Sequence, residues 1–216
     1  MKTISKRDYR IIIWGGLYAA FIYMAYFVSV QMQGKDFTGF LYGNLFNLQK
    51  YFWDVSFAFH LYLFIIKKPF TSPMYVSRCK QNYFSYVIWH GVQICGFYLI
   101  FTFLLFYGIP TLSGLQITMN RDIIVHFLNL FSFLFTVYLC YLFLLIKTNR
   151  QMQSLLEVLG INLFVLMLYH IFGTVDTVLS LVMEDFLIAS YPGLAACMLL
   201  VIAFTVRRKD WLDDEK

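Results

Sequence analysis

Charge is scarce in this chain. Only 13% of its 216 residues are Asp, Glu, Lys or Arg, about half the share found in soluble domains. Such a chain cannot cover a large surface with groups that water solvates, which excludes an ordinary soluble globular domain. Cysteine is also sparse: Cys79, Cys95, Cys140 and Cys197 are scattered, with no CxxC spacing. That argues against both a disulfide framework and a zinc site. The sequence motifs of several enzyme classes are missing as well. There is no GxSxG to present an activated serine, no HExxH for zinc, and no motif-embedded pair of intramembrane aspartates. Gly34-Lys35 does not close a phosphate-binding loop, because Ser29 stands where the first glycine belongs and Asp36 follows the lysine. The chain is therefore not expected to be an enzyme or its own ATPase, and no cofactor is expected.

What is abundant is apolar surface: 60% of the residues are hydrophobic and 20% aromatic, with a mean hydropathy of +0.67. A helix needs about 20 apolar residues to cross roughly 30 Å of hydrocarbon. Six runs meet or approach that length: 11–30, 46–66, 83–107, 123–146, 155–172 and 189–206. They are continuously apolar and lack the ten-residue alternation of barrel strands, so helices are expected. The first run is longer than a typical signal-peptide core and no small-residue cleavage site follows it, so it reads as a retained span. The expectation is an all-α, polytopic membrane protein, a single domain over 1–216 with six transmembrane helices.

Orientation follows from Lys and Arg. Fourteen of the seventeen basic residues fall in the N-terminal segment, the second and fourth connections and the C-terminal segment; only Lys35, Lys50 and Arg121 fall on the other side. The positive-inside rule then places both termini in the cytoplasm. The +5 net charge belongs to these flanks, and no nucleic-acid partner is expected.

Three connections hold more than a turn. The stretch 1–10 mixes Ile4 and Tyr9 with four basic residues, and reads either as a helix lying on anionic headgroups or as a plain basic flank. In the connection 67–80, Ser72-Pro73 is a helix-start signal, leading either to a docking helix or to an extension of the third span. In 174–189, Val175, Val178, Leu179, Val182 and Phe186 share one helical face, which predicts a short amphipathic outer helix between spans five and six.

Ionisable residues inside spans are costly unless paired. Asp54 lies one helical turn after Lys50, so an i,i+4 ion pair near the membrane interface is expected. Ser154-Leu155-Leu156-Glu157 fits a capping box opening the fifth span. His60 and His90 fall at similar depth in the inner half, and His126 and His170 near the outer surface. Each pair could ligate a metal or haem between helices, or serve only as hydrogen-bonded packing. Gly193, Ala195, Ala196 and Cys197 in the last span permit close helix approach, within one chain or between two.

This arrangement resembles the permease subunits of ATP-binding-cassette transporters of the type 2 exporter class, in their compact bacterial form. The likeness covers the whole chain: six spans, a basic lead-in at 1–10, a helical inner loop around 73–80 and a short outer helix at 174–189. Two stretches add to it. Ser72-Pro73-Met74-Tyr75-Val76-Ser77-Arg78 is similar to the arginine-bearing inner loop, and Arg207-Arg208-Lys209-Asp210 to the basic-then-aspartate ending. The resemblance implies a cell-membrane permease that moves an amphiphilic peptide or lipid-like cargo. Its partners would be a separate cytosolic ATPase subunit and a second copy or sister permease, with Tyr75, Arg78 and Lys80 as the coupling contacts. Two other readings stay open. One is a haem- or quinone-binding anchor of a redox complex, motivated by the matched depths of His60 and His90, which with Asp54 are the polar positions expected within the membrane; the other is an immunity protein that sequesters a peptide without transporting it.

Overall fold

The computed structural model describes residues 6–46, 50, 54–66, 80–116, 121–175 and 177–208, with side chains over 9–46, 50, 54–66, 83–116, 121–171 and 190–206. Every regular element among them is helical. In order they are α1 (Lys6–Tyr26), which continues as a π-helical stretch over Phe27–Met32, α2 (Phe37–Asn44), α3 (Ser56–Ile65), α4 (Lys80–Leu112), α5 (Arg121–Thr148), α6 (Gln151–Val175) and α7 (Thr177–Arg208).

Each of the six apolar runs overlaps one of these helices. Four stretches, Tyr9–Met32, Tyr83–Leu112, Arg121–Thr148 and Gln151–Ile171, are long and apolar enough to cross a membrane, while Ser56–Ile65 and Ser190–Val206 are shorter apolar segments. The distribution of side chains agrees with a lipid solvent. Ile12, Leu17, Phe21, Phe97, Ile100, Leu128, Phe164 and Phe204 are exposed, whereas Ser29, Ser56, His60, Thr102, Thr136, Ser154 and Asn162 are buried. In water this order would be reversed; in hydrocarbon it is the stable one, since polar groups then bond to one another across helices. The fold is that of a membrane-embedded protein.

The helix at the centre is α5. Buried residues make up 61% of its apolar window, against 22–28% for the other three long helices. Leu130, Leu134, Val137, Tyr138, Tyr141, Leu142 and Leu145 face neighbours on several sides, and α3, α4, α6 and α7 all pack on it. It approaches α4 closely because Gly91 leaves room: a Cβ there would come within 2.6 Å of Tyr138 Cε1 and 2.8 Å of Phe135 Cε2.

Three local features differ from the sequence expectation. The connection after α1 folds into α2, capped by Asp36, whose carboxylate accepts from Gly39 N at 2.8 Å. Its Phe37 and Phe40 pack on Tyr107 and Phe106 at the end of α4. The capping box does not form: α6 begins three residues earlier, at Gln151. Ser154 is buried inside the helix, its hydroxyl 2.9 Å from the Arg150 carbonyl and 3.0 Å from Thr148 Oγ1, and Glu157 accepts from Gln153. Asn149, at φ 55°, turns the chain so tightly that Thr148 itself satisfies Arg150 N, leaving Ser154 no terminal amide to cap. Finally, the backbone of 177–189 is the first part of the 32-residue α7 and not a separate helix.

Candidate functional site

The buried face of α1 is a single stripe of Trp14, Tyr18, Ile22 and Tyr26, spaced four residues apart so that all lie on one side of the helix. Two of these rings tie α1 to α3 and α4. Trp14 Nε1 donates to the Ala58 carbonyl at 3.2 Å. The Tyr18 hydroxyl lies 3.3 Å from Thr102 Oγ1. The Tyr98 hydroxyl donates its one proton to the Val55 carbonyl at 3.0 Å and lies 3.2 Å from the Tyr18 hydroxyl. Buried phenols need such partners, because an unmade hydrogen bond in an apolar interior costs about 1–3 kcal/mol.

A second polar set joins α3 to α6. Asn162 Nδ2 donates to Ser56 Oγ at 2.8 Å, and His60 Nδ1 lies 2.6 Å from the Ser56 carbonyl. A carbonyl can only accept, so Nδ1 carries the proton and Nε2 presents a lone pair. That atom is buried without a hydrogen-bond partner among the described residues. At the lower end of the same interface, Gln151 Nε2 donates to the Leu63 carbonyl at 3.1 Å, closing the C-terminus of α3.

Between α1, α3 and α6 the described residues leave a groove of about 410 Å³, lined by Trp14, Leu17, Tyr18, Phe21, Asp54, Phe57, Ala58, Leu61, Leu159 and Leu163. Leu17, Phe21, Phe57, Leu61 and Leu163 are exposed, so it opens sideways onto the same apolar surface as the rest of the bundle. Asp54 is its one acidic residue, and its carboxylate pairs with Lys50 Nζ at 2.8 Å. The expected i,i+4 pair is therefore present.

His60 and His90 find different helices. His90 Nδ1 lies 2.8 Å from the Tyr138 hydroxyl of α5, while His60 is held within α3 beside α6. Among the described residues no group of three or more His, Cys, Asp or Glu could hold a metal. His126 stacks on Phe46 and meets Tyr42 edge-on, and His170 is exposed on α6. Tyr75 and Arg78, named as coupling contacts, lie outside the described residues; Lys80 is the first residue of α4, with its side chain outside them. Sequence reading missed both polar sets, Tyr18 with Tyr98 and Ser56 with Asn162. The available signal was polarity inside apolar runs, and nothing in the sequence indicated which helix each group would meet.

No protein-family description, no curated protein and no solved structure matches this chain.

Proposed function

We propose that the chain is the membrane-spanning subunit of an ATP-driven exporter for an amphiphilic cargo, working with a separate cytosolic ATPase. In this reading it sits in the cell membrane with six spans and both termini inside, and pairs with a second copy or a sister permease. The connection 67–80, with Tyr75, Arg78 and Lys80, seats on the ATPase, whose closure moves the helices apart. The observation that carries the proposal is the groove between α1, α3 and α6: an apolar wall, open sideways, that includes the carboxylate of Asp54, itself paired with Lys50. That combination suits a molecule with an apolar body and a polar head better than it suits a bare ion. The concentration of basic residues on one side supports the orientation, and the absence of a phosphate-binding loop means that the motor must be a separate chain.

The test is co-expression with the ATPase that this reading expects to be encoded beside it, followed by purification in mild detergent. The two should co-purify, and reconstitution should change the ATPase rate. Arg78→Ala with Tyr75→Ala should weaken that association without reducing membrane insertion. Failure to co-purify together with an unchanged ATPase rate would sink the proposal.

A further inference from the structure

We propose that two copies of this chain pair through α4, with the Gln93 amide of each copy bonded to the Gln93 amide of the other. The inference rests on the exporter reading only for the assumption that subunits pair, and needs no ATPase. Gln93 lies inside the apolar stretch Tyr83–Leu112, about 15 Å along the helix from its nearer end at roughly 1.5 Å per residue. It is exposed, and its amide meets no partner among the described residues. Other carboxamides are satisfied within the chain: Asn162 donates to Ser56 and Asn44 to Ser29. A carboxamide carries two N–H donors and one carbonyl acceptor. Hydrocarbon returns none of those bonds, so an exposed amide in an apolar helix is costly until another polar surface covers it.

The residues around Gln93 suit a second helix. Trp89, Gln93, Gly96 and Ile100 follow one another at spacings of four, three and four, which keeps them along one seam. Trp89 is 64% exposed and Ile100 61%, and a Cβ built on Gly96 would meet nothing within 4 Å. The seam is therefore open, and lowest beside the amide, where a small residue lets another backbone approach. Two copies inserted in the same orientation are related by a twofold axis along the membrane normal, which sets each seam residue against its own counterpart. A lysine or a carboxylate there would repel its copy. A carboxamide is its own complement, because an N–H of each donates to the carbonyl of the other. The residue type thus selects a second copy as the occupant, and one polar position in an otherwise apolar seam also fixes the register of the pair.

The experiment reconstitutes the full chain alone into liposomes of mixed phosphatidylethanolamine and phosphatidylglycerol, with donor and acceptor dyes on separate copies, over a range of lipid-to-protein ratios. Energy transfer should exceed that of randomly placed chains. Gln93→Leu, which keeps the helix apolar, should weaken association about eightfold, the loss of two interhelical bonds of average strength. A photoreactive side chain in place of Ile100 should join two copies, and one in place of Phe164, exposed on α6, should not. Energy transfer no greater than random, association unchanged by Gln93→Leu, or copies joined as readily through Phe164 would overturn the proposal. So would a link in cell membranes from position 100 to a different protein, which would make the partner a sister subunit. The exporter reading fails separately, through its ATPase. Copies joined through position 100 with no ATPase bound would leave the pairing standing, whereas a bound ATPase with no such link would overturn the pairing alone.

Discussion

Gly91 on α4 lies against the ring of Tyr138 on α5, so close that a Cβ at position 91 would stand 2.6 Å from Cε1. Phe135 Cε2 would lie 2.8 Å from the same Cβ, so two aromatic rings would have to give way together. Gly91→Ala should therefore separate α4 from α5 and destabilise the protein by about 1–3 kcal/mol, the cost of overpacking. Gly96→Ala on the same helix meets nothing within 4 Å and should be neutral or stabilising by about 0.5 kcal/mol. Thermal unfolding of the two variants in one detergent compares them directly. Equal midpoints would mean that the helices do not cross at Gly91.

The bond from Asn162 to Ser56 should be worth about 0.6 kcal/mol, the average measured for interhelical hydrogen bonds in a membrane protein, and at most about 1.7 kcal/mol. A double-mutant cycle with Asn162→Ala and Ser56→Ala isolates it from each residue's packing. A coupling energy near zero would show that the two side chains do not meet.

Lys50 and Asp54 should behave non-additively. Lys50→Met alone leaves a carboxylate without its counter-charge in an apolar groove and should cost about 2 kcal/mol or more. Adding Asp54→Asn should restore most of that loss, since the remaining amide is neutral. If the double variant were less stable than Lys50→Met, the pair could not be the chief reason for tolerating a charge there.

At Asn149 the backbone is left-handed, a conformation that glycine adopts freely and a β-branched residue resists. Asn149→Gly should be nearly neutral, while Asn149→Val should cost about 1–2 kcal/mol. Asn149→Val should also increase protease cleavage between α5 and α6, which limited proteolysis would detect.

The helices were legible in the sequence wherever an apolar run was long, because lipid-facing and buried positions are both apolar and the run shows at any register. Short elements escaped that signal. Phe37–Asn44 is only eight residues long and reads as the end of a loop until Phe37 and Phe40 are seen against α4. The ion pair of Lys50 and Asp54 was legible because it depends only on i,i+4 spacing. Ser154 was misread. Its neighbours fit a cap locally, but Asn149 had already turned the chain, and α6 starts before Ser154 is reached. His60 and His90 could be given a depth from sequence, but not a partner: the rotation of each helix about its axis decides that, and it is set by packing on α5.

Because α5 holds the bundle together yet is preceded by α1, α3 and α4, the order of synthesis runs against the order of support. Ser56 leaves the ribosome 106 residues ahead of Asn162, a wait of roughly 5 to 20 seconds at ordinary translation speeds. Through that interval its hydroxyl lacks its later partner, and the early helices have no central strut to lean on. A nascent chain stalled before residue 121 is therefore the form most exposed to quality-control proteases, and the one that an insertion factor would have to shelter.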